Sequence, residues 1–281
     1  MKAPAAPRPS RFARRSTADE WMDDPSIGGP ELEAALRQLT RVNRLLGGYA
    51  PSVAGVLGLL GGEAPHPSVL PRTAHLLDVG TGAADTPRRL IEACAARGTV
   101  LHVTAIDLAA HTVAYAQRHS AAHPSLNAVQ ADLLALDADA PGARFDVVHA
   151  AMVLHHFRDD DAVRALARMY ALAEVGVVVN DLHRHPVAYW GFRALAAIFF
   201  RNRMVRHDGP VSVLRGFRRA ELRALAARAG WPMDRTRLRW WPLFRWQLVA
   251  DKRGTAARTA CLLYTSPSPR DRTRSRMPSS A

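Results

Sequence analysis

Acidic residues recur beside the ends of apolar runs, and their spacing is the chemical signature of this chain. Asp78 closes "HLLDV" and is followed by Gly80 and Gly82 in "DVGTGAAD". Asp107 ends "VTAID", 25 residues beyond Gly82, Asp132 follows "NAVQA", and Asp146 opens "FDVVHA". The two glycines let the backbone pass close to a ligand without a side chain in the way. A carboxylate one strand later suits the paired hydroxyls of a ribose. Yet Asp85 stands where the dinucleotide pattern Gly-x-Gly-x-x-Gly has its third glycine. A pyrophosphate wants bare N–H groups at that helix start, and an acid there repels it. The expected ligand is therefore cationic or zwitterionic, with a nucleoside part. Asp85 itself is expected to cap the following helix, with Pro87 in the first turn.

These residues need a scaffold that alternates strands and helices. Apolar strands are expected at 75–79, 101–107, 127–131, 145–150 and 176–181, with amphipathic helices near 86–97, 109–119 and 160–173. Alternation at this spacing implies crossover connections and a mostly parallel sheet covered on both faces. "ELEAALRQLTRVNRLL" (31–46) reads as a helix stopped by Gly47 and Gly48, followed by a Gly/Pro-rich loop. A helix-rich stretch over 186–204 and a helix at 219–229 come later. Two strand-like runs in "DRTRLRWWPLFRWQLVAD" (234–251), split by Pro242, read as a hairpin.

In this order, the residues resemble the class I S-adenosylmethionine-dependent methyltransferases, in particular the small-molecule enzymes of ubiquinone and menaquinone biosynthesis and those acting on polyketide-type phenols. "LLDVGTGAAD" resembles their first motif, with Ala84 in place of a frequent glycine; the resemblance extends over residues 70 to 250. It implies a Rossmann-like, doubly wound α/β fold whose seven-stranded, mostly parallel sheet ends in an antiparallel C-terminal hairpin. It further implies S-adenosyl-L-methionine as cofactor, held by Asp78, Gly80, Thr81, Gly82, Asp85, Asp107, Leu108, Asp132, Leu133 and Ala150, with Asp132 near the adenine amine. A sulfonium and an α-amino group make nearby carboxylates electrostatically sensible. A nicotinamide-dependent oxidoreductase would share Asp107 and the glycine turn, and a methyltransferase-like binding protein without turnover would share every one of these residues.

Four further residues are the catalytic candidates. His155 and His156 in "LHHF" follow the fourth strand, where the resemblance places the mouth of the site. His207 and Asp208 in "MVRHDGPVSV" form a candidate base with its orienting carboxylate, unless they belong to a turn ending at Gly209-Pro210. Aromatics in 187–200 (Tyr189, Trp190, Phe192, Phe199, Phe200) suggest a hydrophobic aromatic, phenolic or quinone-like acceptor, while carbon, oxygen and nitrogen methylation all remain open. The histidines lack a metal-ligand spacing, so no metal is expected.

The domain plan is a flexible basic arm (1–28), an N-terminal helical lid (29–66) and a methyltransferase domain (67–252) with an acceptor-covering helical insertion (184–216). In residues 261–281, "CLLYTSPSPRD" and "SRMPSSA" back-translate to the ends of a transposase-type sequencing adapter, so this tail is expected to be artefactual and disordered. The 38 Lys and Arg against 25 Asp and Glu give +13; the tail's four arginines less Asp271 account for +3, leaving +10. Five of those charges lie in residues 1–18, and no aromatic-plus-basic motif accompanies the rest, so nucleic acid is not an expected partner. "PVAYWGFRALAAIFF" is too short to span a bilayer and carries Arg193, leaving surface contact with a membrane open and insertion unexpected. Without the tail only Cys94 remains, which fits a reducing cytoplasm, and it reads as a small buried hydrophobe. Nothing in the sequence fixes the oligomeric state.

Overall fold

The computed structural model describes residues 10–61, 72–140 and 142–253. The expected tail at 261–281, residues 1–9 of the arm and residues 62–66 of the lid lie outside them. Seven strands form one sheet: β1 (Arg72–Val79), β2 (Thr99–Asp107), β3 (Leu126–Gln130), β4 (Phe145–Ala151), β5 (Ala173–Leu182), β6 (Thr236–Trp241) and β7 (Arg245–Asp251). Their order is β3-β2-β1-β4-β5-β7-β6; the first five strands run parallel, and β7 is antiparallel to both β5 and β6. The fold is the Rossmann-like, doubly wound α/β architecture with an antiparallel C-terminal hairpin expected from the sequence.

Central strands buried on both faces read as unbroken apolar runs, because helices cover each side. Val177, Val178 and Val179 of β5 are all buried. One face carries α5 (Asp159–Leu172) and α8 (Arg219–Arg228), whose Leu166, Met169, Leu222 and Leu225 pack with Phe217 and Trp231. Three consecutive aspartates open α5, where negative charge complements the helix dipole. The other face carries α2 (Ala50–Leu60), α3 (Asp85–Ala95) and α4 (Ala110–His119), with Val56, Leu59, Leu90 and Cys94 in the core. Burial pushes the Cys94 thiol up to about 11, consistent with its role as a buried hydrophobe.

A third cluster sits above the carboxyl ends of the strands. There α1 (Gly29–Leu45), α6 (Pro186–Phe199) and α7 (Arg203–Arg215) bring Leu32, Leu36, Phe192, Met204 and Val205 against Ala83 and Tyr115. Among the described residues, no helix is long and apolar enough to cross a membrane.

Three stretches differ from the sequence reading. The loop expected after Gly48 is α2, which lies on the sheet and is not part of a lid. A Cβ on Gly55 would come within 2.7 Å of Val178 Cγ1, so the glycines that suggested a loop instead let a helix seat closely. The turn expected at Gly209-Pro210 is interior to α7, which runs through the proline. Pro210 costs one helical hydrogen bond, and packing of α7 against α1 and α6 outweighs that loss. Finally, the part of the arm from Ser10 onward is bound down. Ser16 N donates to Leu214 O at 3.0 Å, and Arg15 lies over the Phe217 ring, 4.2 Å from its centroid. Arg15 also donates to the carbonyls of His155, Phe157 and Arg215, which explains why a basic segment is fixed: its charge terminates orphan carbonyls.

Trp231 joins α5 to the strand side of α8, buried and donating from Nε1 to Leu166 O at 3.0 Å. Trp231→Ala is expected to destabilise the fold by about 3–5 kcal/mol. Trp231→Phe should cost less, losing the hydrogen bond and part of the ring, and urea unfolding of both variants reads the difference.

Candidate functional site

The carboxyl ends of β1, β2 and β4 open into a cavity of about 940 Å³, roofed by α1, α7 and the segment 14–27. This is where ligands bind in open α/β sheets. One end is built by the glycine turn. Gly80 adopts φ +63°, and a Cβ there would lie 2.5 Å from Val153 Cγ2, so the turn requires glycine both for conformation and for space. Thr81 N donates to Ile106 O at 3.0 Å. Gly82 N and Ala109 N donate to opposite oxygens of Asp107, at 3.0 and 3.1 Å, fixing the carboxylate at the cavity wall. Burial, with Asp78 nearby, raises the Asp107 pKa against the pull of those two N–H groups.

Asp78 is buried beside the turn, its Oδ1 2.6 Å from Nδ1 of the fully buried His149. His149 was missed in the sequence. The available signal was a lone imidazole at an apolar strand position, opposite Asp78 in the β1–β4 register. Asp85 does not cap α3: the N-cap is Ala84, in the left-handed region at φ 53°. The Asp85 carboxylate instead accepts from Tyr49 Oη at 2.8 Å and faces Asn43 Nδ2 at 3.4 Å, which ties α1 and α2 to the turn. Burial and that acid push the Tyr49 hydroxyl up.

Leu108, Asp132 and Leu133 line the same end, with Asp132 accepting from Leu134 N at 2.9 Å. Ala150 does not line it. It is buried within β4, and the next residues, Ala151 and Met152, reach the wall. Asp146 is at the opposite end of the sheet, accepting from His75 N at 2.8 Å, so the fourth acid of the series holds two strand starts together.

At the other end stand His155 and His156, in the single turn after β4. His155 is buried, its Nδ1 2.7 Å from Asp181 Oδ1 and its backbone N donating to Asp181 Oδ2 at 3.1 Å. Although burial alone would raise it, the His155 partnership holds the Asp181 pKa low. His156 is partly exposed, and its Nδ1 bonds Asp23. Glu20 lies beyond both rings, with Oε1 3.7 Å from His155 Nε2 and Oε2 4.0 Å from His156 Nε2. Burial raises the Glu20 pKa despite His156 and a hydrogen bond from Ser212 Oγ at 2.7 Å. Arg215 bonds Asp23 and the carbonyls of His155 and His156. Glu20, Asp23 and Arg215 escaped sequence reasoning. The one hint was "ADEWMDD", an acidic knot in an otherwise basic arm.

His207 and Asp208 are paired, Nδ1 to Oδ1 at 2.7 Å, but on different sides of the wall. Asp208 lines the cavity and accepts from Trp21 N and Met22 N, while His207 stacks on the Trp21 ring outside it. Among the described residues, none of α6 lines the cavity. Its aromatics pack on neighbouring helices or face solvent, as Trp190 and Phe199 do. The apolar walls come from Met22, Ile27, Leu32, Leu36, Met152 and Val205.

Residues 76–176 match the sequence model of a family described as a methyltransferase domain. No curated protein matches the chain. Among solved structures, an O-methyltransferase family protein from Burkholderia thailandensis is similar with TM-score 0.54 and 17% identity, over 80% of this chain and 60% of that one. An O-methyltransferase family 2 protein from Planctomyces limnophilus, in complex with apigenin, aligns with TM-score 0.52 and 12% identity over 81% of this chain and 63% of its own. A SAM-dependent methyltransferase from Aquifex aeolicus reaches TM-score 0.52 and 16% identity over 78% of this chain and 97% of its own. This chain thus spans less than two thirds of the first two proteins, and the likenesses establish the shared fold.

Gly80→Ala is expected to leave the fold intact by circular dichroism while weakening nucleoside binding at this end at least tenfold. Gly191→Ala, where an added Cβ meets nothing within 4 Å, is the control that should change neither.

Proposed function

We propose that this chain, whose residues 76–176 match the methyltransferase-domain family, is a class I S-adenosylmethionine-dependent methyltransferase that transfers the methyl group to a hydrophobic aromatic, phenolic or quinone-like small molecule. The observation that carries the reading is the single cavity that joins the glycine turn to the His155–His156 turn between apolar walls. The residues at the first end fit the cofactor. A tight glycine backbone, the Asp107 carboxylate held at the wall with lone pairs to spare, and a floor made by Leu108 and Leu133 suit a nucleoside. Asp78 and Asp85 disfavour a pyrophosphate and favour an ammonium or sulfonium. The cofactor supplies an electrophilic methyl group on sulfur.

What the protein contributes is alignment and exclusion of water, which account for most of the rate in an in-line displacement. Segment 14–27 and α1 close the cavity over the acceptor, with Met22, Ile27 and Leu36 against its apolar part. At the far end the Glu20–His155–His156 cluster stands where an acceptor oxygen would be oriented and ionised, and Asp181 and Asp23 fix the two rings. Asp208 acts on the roof by holding the Trp21–Asp23 turn, and His207 props that turn from outside. The Planctomyces protein's apigenin is a polyphenol, which makes polyphenols the first acceptors to try.

Isothermal titration with S-adenosylmethionine should show one site per chain. Asp107→Ala should abolish it, whereas His156→Ala should keep the heat of binding and lower formation of S-adenosylhomocysteine by at least tenfold. Normal binding by Asp107→Ala would remove the site assignment. The sign of the pH dependence also follows. The Asp107 pKa is raised, and its ionised form accepts from the turn and from ribose hydroxyls. Affinity is therefore full above that raised pKa and falls as pH drops through it, starting at a higher pH than for a free aspartate. Asp107→Asn should flatten this dependence.

A further inference from the structure

At the histidine end of the cavity, Glu20, His155 and His156 face one another across gaps longer than a hydrogen bond. His155 and His156 each direct Nδ1 at a carboxylate, Asp181 and Asp23 respectively. An imidazole that donates from Nδ1 and is neutral carries a bare lone pair on Nε2. Both Nε2 atoms are turned toward the carboxylate of Glu20, 3.7 Å from Oε1 and 4.0 Å from Oε2. Those separations are too long for an N–H···O hydrogen bond, which ends near 3.2 Å. Glu20 is only 6% exposed, and its Oε1 has no hydrogen-bond partner. A buried carboxylate oxygen without a hydrogen-bond partner is costly unless something positive lies beside it.

We propose that Glu20, His155 and His156 bind one divalent transition-metal ion, of the zinc, manganese or iron(II) class, at the acceptor end of the cavity. One ligand atom from each residue lies within 4.8 Å of the others. Donors about 2.1 Å from a tetrahedral zinc stand roughly 3.4 Å apart, so the observed spacing closes on an ion with small side-chain shifts. Two imidazoles and one carboxylate select such ions over magnesium or calcium, which prefer oxygen donors. The carboxylates behind each ring are the outer partners that orient metal-binding histidines and fix their tautomers. On the cavity side, Glu20 and Asp23 bring two carboxylates against Arg215, which lies 3.7 Å from Glu20 Oε1, while Asp181 behind His155 is matched by Arg245. The Arg215 guanidinium donors are taken up by Asp23 and by the carbonyls of Ala18, His155 and His156.

All three ligands line the cavity, so an ion held by three protein groups keeps positions open to it. An acceptor bearing a hydroxyl or carbonyl oxygen would fill one of them and be oriented toward the glycine turn. That last assignment rests on the methyltransferase reading; the ion site does not. This site runs against the expectation of no metal, which weighed the histidine spacing alone; Glu20 is 135 positions from His155 and belongs to the segment read as a flexible arm.

The test uses the full chain, stripped with EDTA and titrated with cobalt(II) and with zinc chloride in a non-chelating buffer. Wild type should take up one ion of micromolar or tighter affinity, with a cobalt d–d band of low-coordinate intensity. Glu20→Gln and His156→Gln should each weaken that ion at least a hundredfold and remove the band. Gly191→Ala, outside the cavity and with nothing within 4 Å of the added Cβ, should retain it. Titration with S-adenosylmethionine, run on every variant, reports on the fold and on the other end of the cavity. Absence of a stoichiometric ion in wild type, or equal affinity in Glu20→Gln with cofactor binding intact, overturns the ion site and leaves the methyltransferase reading standing. Loss of cofactor binding in wild type would instead strike that reading while the ion measurement stands by itself.

Discussion

Asp181 is fully buried at the end of β5, and a carboxylate in such a place must be matched by hydrogen bonds or by charge. Its partners are the ring and backbone N–H of His155, supplied by the turn that follows the neighbouring strand β4, and its own chain through Leu182 N at 2.7 Å. That match sets the turn after β4, and with it the direction in which both histidines point. The remaining contacts at this end build outward from the same turn. Arg215 of α7 and Arg15 of the N-terminal segment donate to its carbonyls, and Glu20 and Asp23 come down on the rings from above. A buried charge at a central strand thus propagates through one short turn to the roof of the cavity.

The two ends of the cavity are built by different means. At the glycine turn, backbone does the work: Gly80 and Gly82 accept conformations that side chains resist, and Asp107 is fixed by two N–H groups. At the histidine end, side chains from distant parts of the chain converge, and their positions are set by ion pairs. Asp85 and Tyr49 link these halves, since the acid that replaces a glycine in the turn is held by a hydroxyl between α1 and α2. The covering helices are consequently coupled to the glycine turn as well as to the histidine end.

The parallel sheet, its hairpin and the glycine turn were legible because each is a local pattern: alternation, apolar runs, and acids at strand ends. Asp78, Asp107 and Asp132 fall on the cavity wall for that reason. Asp146 obeys the same pattern and yet sits at the far end of the sheet, since a strand start and a strand end look alike to a spacing argument. Ala150 missed the wall by one residue for want of the strand's exact end. Residues 10–28 were misread because their composition is that of a solvated arm, and only the carbonyls they terminate, more than a hundred positions away, reveal that they are bound. Glu20, Asp23 and His149 belong to the same class of long-range pairing, which sequence spacing does not encode.

The most direct test of the account is the fate of a labelled methyl group. The full chain is incubated with methyl-labelled S-adenosylmethionine and a panel of polyphenols and quinols, and the organic extract is counted and identified by mass spectrometry. The account predicts one label per acceptor molecule, lost in Asp107→Ala and reduced in His156→Ala. Tight cofactor binding with no label leaving it across the panel would contradict the account and identify a protein that holds S-adenosylmethionine without turning it over.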